Sequence, residues 1–217
     1  METGRNWIAI KVNKKLAGIS MDYGLLAEIA ASIERETRIK QNKSNRKTDK
    51  NTRPLPYSEI CAKVVSLEEI WELRNELKWE DLLLFGTPFQ KRIWKKLFAL
   101  THSEDGEYKT PALMSYTEFA SLCGCPAGVR AVAHAVALNP VAALIPCHLI
   151  IPKEAMERIN EICTKAESTI FKGEDLSIEK ILNDSSIDFG EYALGKEMKR
   201  TLIIKEMKEV VLTDKNI

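Results

Sequence analysis

The stretch that most constrains this chain of 217 residues is NPVAALIPCHLIIP, Asn139 to Pro152. It holds no Lys, Arg, Asp or Glu, although 29% of the chain is charged. A segment this apolar belongs in a core. It takes with it Cys147 and His148, set between Ile145-Pro146 and Leu149-Ile150-Ile151. On these residues alone two readings stay open. A buried free cysteine is common and inert, whereas a cysteine beside a base is a candidate nucleophile.

The sequence just upstream predicts two short helices. SYTEFASLC starts with Ser115 as a helix cap and ends near Cys123-Gly124. After a turn containing Pro126, a second helix runs to about Leu138. Two short helices joined by a tight glycine turn are a helix-turn-helix candidate. The second helix is rich in small residues (Ala127, Gly128, Ala131, Ala133, Ala135, Ala137), and Arg130 is its only Lys, Arg, Asp or Glu. It is either a closely packed core helix or a helix that lets another backbone approach while one long cation projects. Before it, GTPFQKRIWKKLFAL predicts a helix capped by Thr87, with Pro88 first and Phe89, Ile93, Trp94 and Leu97 on its apolar face. A polar loop, THSEDGEYKTPALM, separates the two regions.

The first 80 residues read as a small α/β unit. WIAIKVNKKLAGISMDY predicts a hairpin about Asn13-Lys14-Lys15. GLLAEIAASIERETRI predicts a helix facing inward through Leu25, Ile29 and Ile33. Ser66 and Glu69 form a capping box that opens another helix. Residues 40–53 carry six Lys or Arg against Asp49 and no large apolar side chain, which predicts a solvated loop. Beyond Pro152, a stripe of Met156, Ile159, Cys163, Ala166 and Ile170 predicts an amphipathic helix. Residues 153–188 hold nine Asp or Glu against five Lys or Arg. A glycine-marked turn and a final amphipathic helix close the chain.

Net charge is +1, so no global field points to nucleic acid. Five cysteines, at 61, 123, 125, 147 and 163, form no disulfide ladder, and with no secretory pattern at the N-terminus this predicts an intracellular setting. Cys123-x-Cys125 is too short for the usual zinc half-site, so the two read as incidental small hydrophobes. No run is long and apolar enough to span a bilayer.

GTPFQKRIW, SYTEFA, VRAVAHAVALNPVAALIPCH and GEYALGKEMKRTLIIKE together resemble the methylated-DNA–protein-cysteine methyltransferases, or alkylguanine-DNA alkyltransferases. The resemblance covers about 86–151 and 190–206. It implies an α+β chain: an α/β N-terminal domain over 1–80, then a mainly α C-terminal domain over 81–217 with a helix-turn-helix and an acidic helical insertion at about 153–188. It implies single-turnover transfer of an alkyl group from guanine O6 in DNA to Cys147, with His148 as base through a water and Glu206 orienting it. Asn139 would brace the turn before the nucleophile, and Tyr116 would hydrogen-bond the leaving base. Arg130, with Ala127, Gly128 and Ala131, would face DNA and fill the gap left by a flipped nucleotide. Tyr192 and Ile150 would line the guanine pocket. The implied partner is double-stranded DNA containing alkylated guanine, met by a monomer, with no cofactor, metal or membrane. The alternative is a non-catalytic or weakly catalytic alkylguanine-lesion binder. Two departures stand out: Leu149 occupies the position of the arginine expected after Pro-Cys-His, and the insertion separates Cys147 from Tyr192.

Overall fold

A computed structural model describes residues 6–46, 60–102, 112–170 and 178–214. The fold is mixed: a small antiparallel sheet joined to a mainly helical remainder. Strands β1 (Trp7–Val12) and β2 (Lys15–Ser20) form the expected hairpin. Its turn residues, Asn13 and Lys14, both take positive φ, 48° and 68°, as a two-residue turn matched to strand twist requires. A third strand, β3 (Ile60–Val65), pairs antiparallel with the other side of β1. It is exposed at nearly every position, so it lacks the alternation by which a strand is recognised in a sequence.

Side-chain alternation divides β1 between two cores. Ile10 and Val12 pack with Ala17 against helix α1 (Tyr23–Arg46) through Leu26, Ile29 and Ile33. Trp7 and Ala9 face the opposite way and join the main core. Leu26, rather than Leu25, is the buried member of the first turn of α1. Helix α1 also runs further than its apolar pattern: residues 40–46, expected in a solvated loop, are helical. That stretch has no Gly or Pro to stop a helix, and Lys, Arg and Gln are good helix formers. Residues 47–53 of the expected loop, and 103–111 of the polar loop, lie outside the described residues.

Helix α2 (Leu67–Glu76) opens on the Ser66/Glu69 capping box, and α3 (Pro88–Phe98) on Thr87 with Pro88 first. Ile93, Trp94, Leu97 and Phe98 are the buried residues of α3. Strand β2 ties the first part of the chain to the second. Leu83 N–H donates to Leu16 carbonyl oxygen, Ile19 N–H to Pro140, and Ala142 N–H to Ile19. The main core therefore extends from Trp7 through Trp71, Trp94, Phe119 and Val132 to Leu202.

Helix α4 (Tyr116–Leu122) starts at a Ser115/Glu118 capping box and ends at Gly124, φ 70°. Cys125 N–H bonds to Ala120 carbonyl oxygen and Gly124 N–H to Ser121, the paired bonds of a Schellman ending. A 3₁₀ turn, Pro126–Gly128, leads into α5 (Val129–Ala137). The helix-turn-helix is thus present, with Ala127 and Gly128 in the turn rather than in the second helix. A parallel pair of two-residue strands, β4 (Met114–Ser115) and β5 (Ile150–Ile151), joins the cap of α4 to the residues following His148.

The insertion is docked. Helix α6 (Lys153–Ile170) buries Ala155 and half-buries Met156, Ile159 and Ile162 against Leu182, Ile187, Phe189 and Ile203. Cys163 is half-buried; the side chains of Ala166 and Ile170 lie outside those described. A short helix α7 (Ile178–Leu182) follows, and the guanidinium of Arg200 gathers the carbonyl oxygens of Leu182, Asp184 and Ile187. Gly190 then takes φ 82°, where a Cβ would sit 2.9 Å from Pro152 Cγ. Only glycine accepts both conditions, and this contact folds residues 191–194 back toward the Cys147 segment. Helix α8 (Lys196–Asp214) ends the fold. Among its described side chains the buried ones are Lys199, Leu202, Ile203 and Glu206, so two ionisable side chains interrupt the apolar stripe expected of it.

Candidate active site at Cys147

The segment between α5 and β5 doubles back through Ala143, which takes φ 69° while fully buried. A left-handed alanine costs roughly 1–2 kcal/mol, and Asn139 supplies the restraint. Its Oδ1 accepts from Val141 N–H at 3.0 Å, and its Nδ2 donates to Ile145 carbonyl oxygen at 2.8 Å. The same Nδ2 lies 3.1 Å from Cys147 Sγ. One side chain thus shapes the turn and touches the thiol.

Cys147 begins a 3₁₀ turn at the wall of a cavity of about 170 Å³. Tyr116, Asn139, Ala142 and Tyr192 share that wall, and Tyr192 OH is 3.5 Å from Sγ. Burial pushes the Cys147 thiol up, while the Tyr192 and Asn139 hydrogen bonds and the Lys199 charge pull the other way. At rest the group is a thiol, so a base has to act on it. Burial, with the Cys147 charge second, pushes the Tyr116 phenol up to about 12. The same causes raise Tyr192 well above the ordinary tyrosine range. Both phenols keep their protons and remain donors.

Behind Cys147, His148 Nε2 is 3.1 Å from Glu206 Oε2, and both side chains are fully buried. A carboxylate only accepts, so Nε2 carries the proton. His148 Nδ1 is buried without a hydrogen-bond partner among the described residues. In the neutral ring with Nε2 protonated, Nδ1 is the nitrogen that carries the lone pair.

Two groups in the site were missing from the sequence expectation. Lys199 is fully buried, donates to Ile150 carbonyl oxygen at 2.8 Å, and stands 5.7 Å from the centre of the Tyr116 ring. Burial pulls its ammonium down to about 8, against the opposing effects of Cys147 and Asp188. Its place seven residues before Glu206, two helical turns on one face, was a usable signal. Arg74 also bonds Glu206, through Nη1 to Oε2 at 2.7 Å, and no pattern in the sequence links residues so far apart.

Ile150, expected in the pocket wall, is not there. Its side chain is fully buried in β5, and strand alternation turns it into the main core. The first part of the chain supplies Ser20 and Leu25 to the cavity instead, and the turn after Gly190 supplies Glu191, Ala193 and Leu194. On α5, Val132, Ala135 and Val136 are buried, whereas Arg130, Ala131, His134 and Ala137 are exposed, as is Ala127 ahead of the helix. Ala137 also lines the cavity. The exposed face of α5 therefore leads from Arg130 to the cavity mouth, seven residues or about 10 Å along the axis.

A sequence profile described as the DNA-binding domain of 6-O-methylguanine DNA methyltransferase matches residues 88–167. Over that stretch the chain is similar to methylated-DNA–protein-cysteine methyltransferases. A probable methyltransferase of this family from Acanthamoeba polyphaga mimivirus is 41% identical over 73 residues, 34% of this chain and 44% of that protein. The methyltransferase of Kluyveromyces lactis is 40% identical over 78 residues, 36% of each chain. The chain thus spans less than half the length of these curated relatives. The crystal structure of Mycobacterium tuberculosis OGT in complex with DNA is similar at 27% identity and a TM-score of 0.37, covering 58% of this chain and 53% of that one. The matched span holds Asn139, Cys147 and His148.

Among the described residues, no group of three or more His, Cys, Asp or Glu is placed to hold a metal ion. No helix among them is long and apolar enough to cross a membrane.

Proposed function

We propose that this protein repairs DNA by moving one alkyl group from guanine O6 to Cys147, once per molecule. The observation that carries the reading is a thiol at a cavity wall, touched by Asn139 and Tyr192 and backed by a buried His148–Glu206 pair whose Nδ1 has no hydrogen-bond partner among the described residues.

Each residue takes a definite part. His148 accepts the Cys147 proton on Nδ1, through a water, and Glu206 stabilises the imidazolium that forms. Sulfur attacks the alkyl carbon as the C–O6 bond breaks, and the electron pair passes to O6 and the purine ring. Tyr116, protonated up to about pH 12, donates a hydrogen bond so that the base does not leave as a bare anion. The proton lost by the thiol is finally returned to guanine. The thioether is stable, which makes the protein a reagent as much as a catalyst. Asn139 and Tyr192 stabilise the developing thiolate, and Lys199 supplies a nearby positive charge.

Guanine O6 is enclosed in a stacked duplex, so the nucleotide has to leave the stack. The small residues Ala127 and Gly128 in the turn and Ala131 in α5 let this motif approach a minor groove closely, and Arg130 fills the vacated place. We propose, too, that residues 1–80 form an N-terminal domain, that 81–217 form the alkyltransferase domain, and that the protein works as an intracellular monomer. A lesion binder without transfer needs no thiol in the cavity, and the placement of Cys147 favours transfer.

The test is incubation with duplex DNA bearing labelled O6-methylguanine, followed by intact-protein mass and peptide mapping. One methyl on Cys147 and none elsewhere is expected, with Cys147→Ala still binding the duplex. Repeated turnover, or label on Cys163, refutes the mechanism.

A further inference from the structure

Helix α2, from the first part of the chain, sends Arg74 into the site from behind. Its side chain is 1% exposed and its Nη1 lies 2.7 Å from the same Glu206 oxygen that meets His148. Trp71, one turn earlier, stacks under the guanidinium at 4.4 Å and stands 6.5 Å from the His148 ring. The Arg74 carbonyl oxygen takes a 3.0 Å hydrogen bond from His102 Nε2 at the end of α3. His102 is itself stacked on Phe98 at 3.9 Å. Arg74 is thus held in place at both its backbone and its head group.

We propose that Arg74 is a positioning residue for the Cys147 site: it keeps Glu206 ionised, and so keeps neutral His148 with its proton on Nε2 and its lone pair on Nδ1. The assignment rests on reading His148 as the base in the proposed transfer. Glu206 is fully buried, and a buried carboxylate without a cation takes up a proton, with carboxyl groups known to hold it to about pH 8–9. A protonated Glu206 would donate to Nε2 instead of accepting from it. The His148 proton would then move to Nδ1, the one position where it blocks proton acceptance. A guanidinium never gives up its charge in a protein, so Arg74 secures the tautomer at every working pH. Among the described residues, the other ionisable groups around the pair include His102, whose pKa burial chiefly lowers, Lys205 over the Trp71 ring, and Lys199 with Cys147 on the cavity side.

The test uses the full-length chain without DNA. The rate of Cys147 carboxamidomethylation by iodoacetamide is followed by peptide mapping from pH 5 to pH 10 for the wild type, Arg74→Gln and Arg74→Lys. Arg74→Gln is expected to slow the reaction about tenfold or more at pH 7, with the rate recovering toward wild type at the alkaline end of the range as Glu206 ionises. Arg74→Lys restores the neutral-pH rate. A uniform loss with an unchanged pH profile, or a faster reaction at pH 7, overturns the proposal. The first outcome would show a purely structural role, and the second would show that Glu206 stays charged unaided. Should Arg74→Gln not fold, the imidazole ¹⁵N shifts of His148 in the wild type decide. The Nε2–H tautomer is expected at pH 7.5, and the Nδ1–H tautomer or an imidazolium refutes the assignment. If methyl transfer from methylated duplex fails while these readouts behave as described, the proposed function falls and the role of Arg74 stands.

Discussion

Asn139→Ala tests the link between fold and chemistry most directly. The side chain makes three close hydrogen bonds in a fully enclosed place: with Val141 N–H, Ile145 carbonyl oxygen and Cys147 Sγ. Alanine leaves Val141 N–H buried and unsatisfied, at about 1–3 kcal/mol, while the Ile145 carbonyl keeps its bond from Cys147 N–H at 2.8 Å. The left-handed Ala143 loses its restraint as well, so a total loss of about 2–4 kcal/mol is expected, from a typical domain stability of about 5–15. The chemical effect is separate. Asn139 is one of the groups pulling the thiol down against burial, so its removal moves Cys147 further up and shifts iodoacetamide reactivity to higher pH. A thiolate that loses one charge-assisted hydrogen bond, worth about 1.5–3 kcal/mol, should react about 10–100-fold more slowly. Urea unfolding gives the first quantity, and the alkylation rate of the folded fraction gives the second. A stability loss below about 1 kcal/mol together with an unchanged rate would refute the dual role.

Three further outcomes are expected. Arg130→Ala should reduce transfer from a methylated duplex more than from free methylguanine, because an emptied stack exists only in the duplex; equal losses would favour a plain surface role. Lys199→Met should remove a pH dependence of stability. The folded pKa lies near 8 and the ordinary value is 10.5, so the unfolded chain binds more protons between them and wild-type stability rises with pH across that window. Calorimetry showing the same slope in both proteins would contradict this. Replacing 154–187 by a short Gly-Ser bridge should leave duplex affinity equal or higher at low salt, since the removed segment is acidic. It should also lower stability by several kcal/mol, at about 1.5–3 for each of the large side chains Phe189, Ile203 and Ile151 that it uncovers. Loss of binding in a folded deletion variant would make the insertion part of the recognition surface.

Local rules determined much of this protein from the sequence. Three capping boxes or caps, at Ser66, Thr87 and Ser115, fixed helix starts, because a cap bonds backbone within one turn of itself. The Asn13-Lys14 hairpin and the Gly124 helix ending are set in the same way by a few adjacent dihedrals. The order of Arg130, Asn139, Cys147, His148, Tyr192 and Glu206 was legible too, since a family pattern is a property of order and spacing. What the tertiary structure decided is whatever depends on distant segments meeting. Arg74 and Glu206 are 132 residues apart, and only folding makes them an ion pair. Ser20 and Leu25 reach the cavity because β2 hydrogen-bonds to Pro140 and Ala142. Ile150 turned inward because a strand two residues long gives alternate side chains opposite faces, and packing chose between them. The exposed strand β3 and the extension of α1 into a basic run followed from pairing and helix propagation, neither of which needs an apolar stripe. An ion pair in a core depends on the low dielectric that the whole fold creates, and that quantity is written in no single segment.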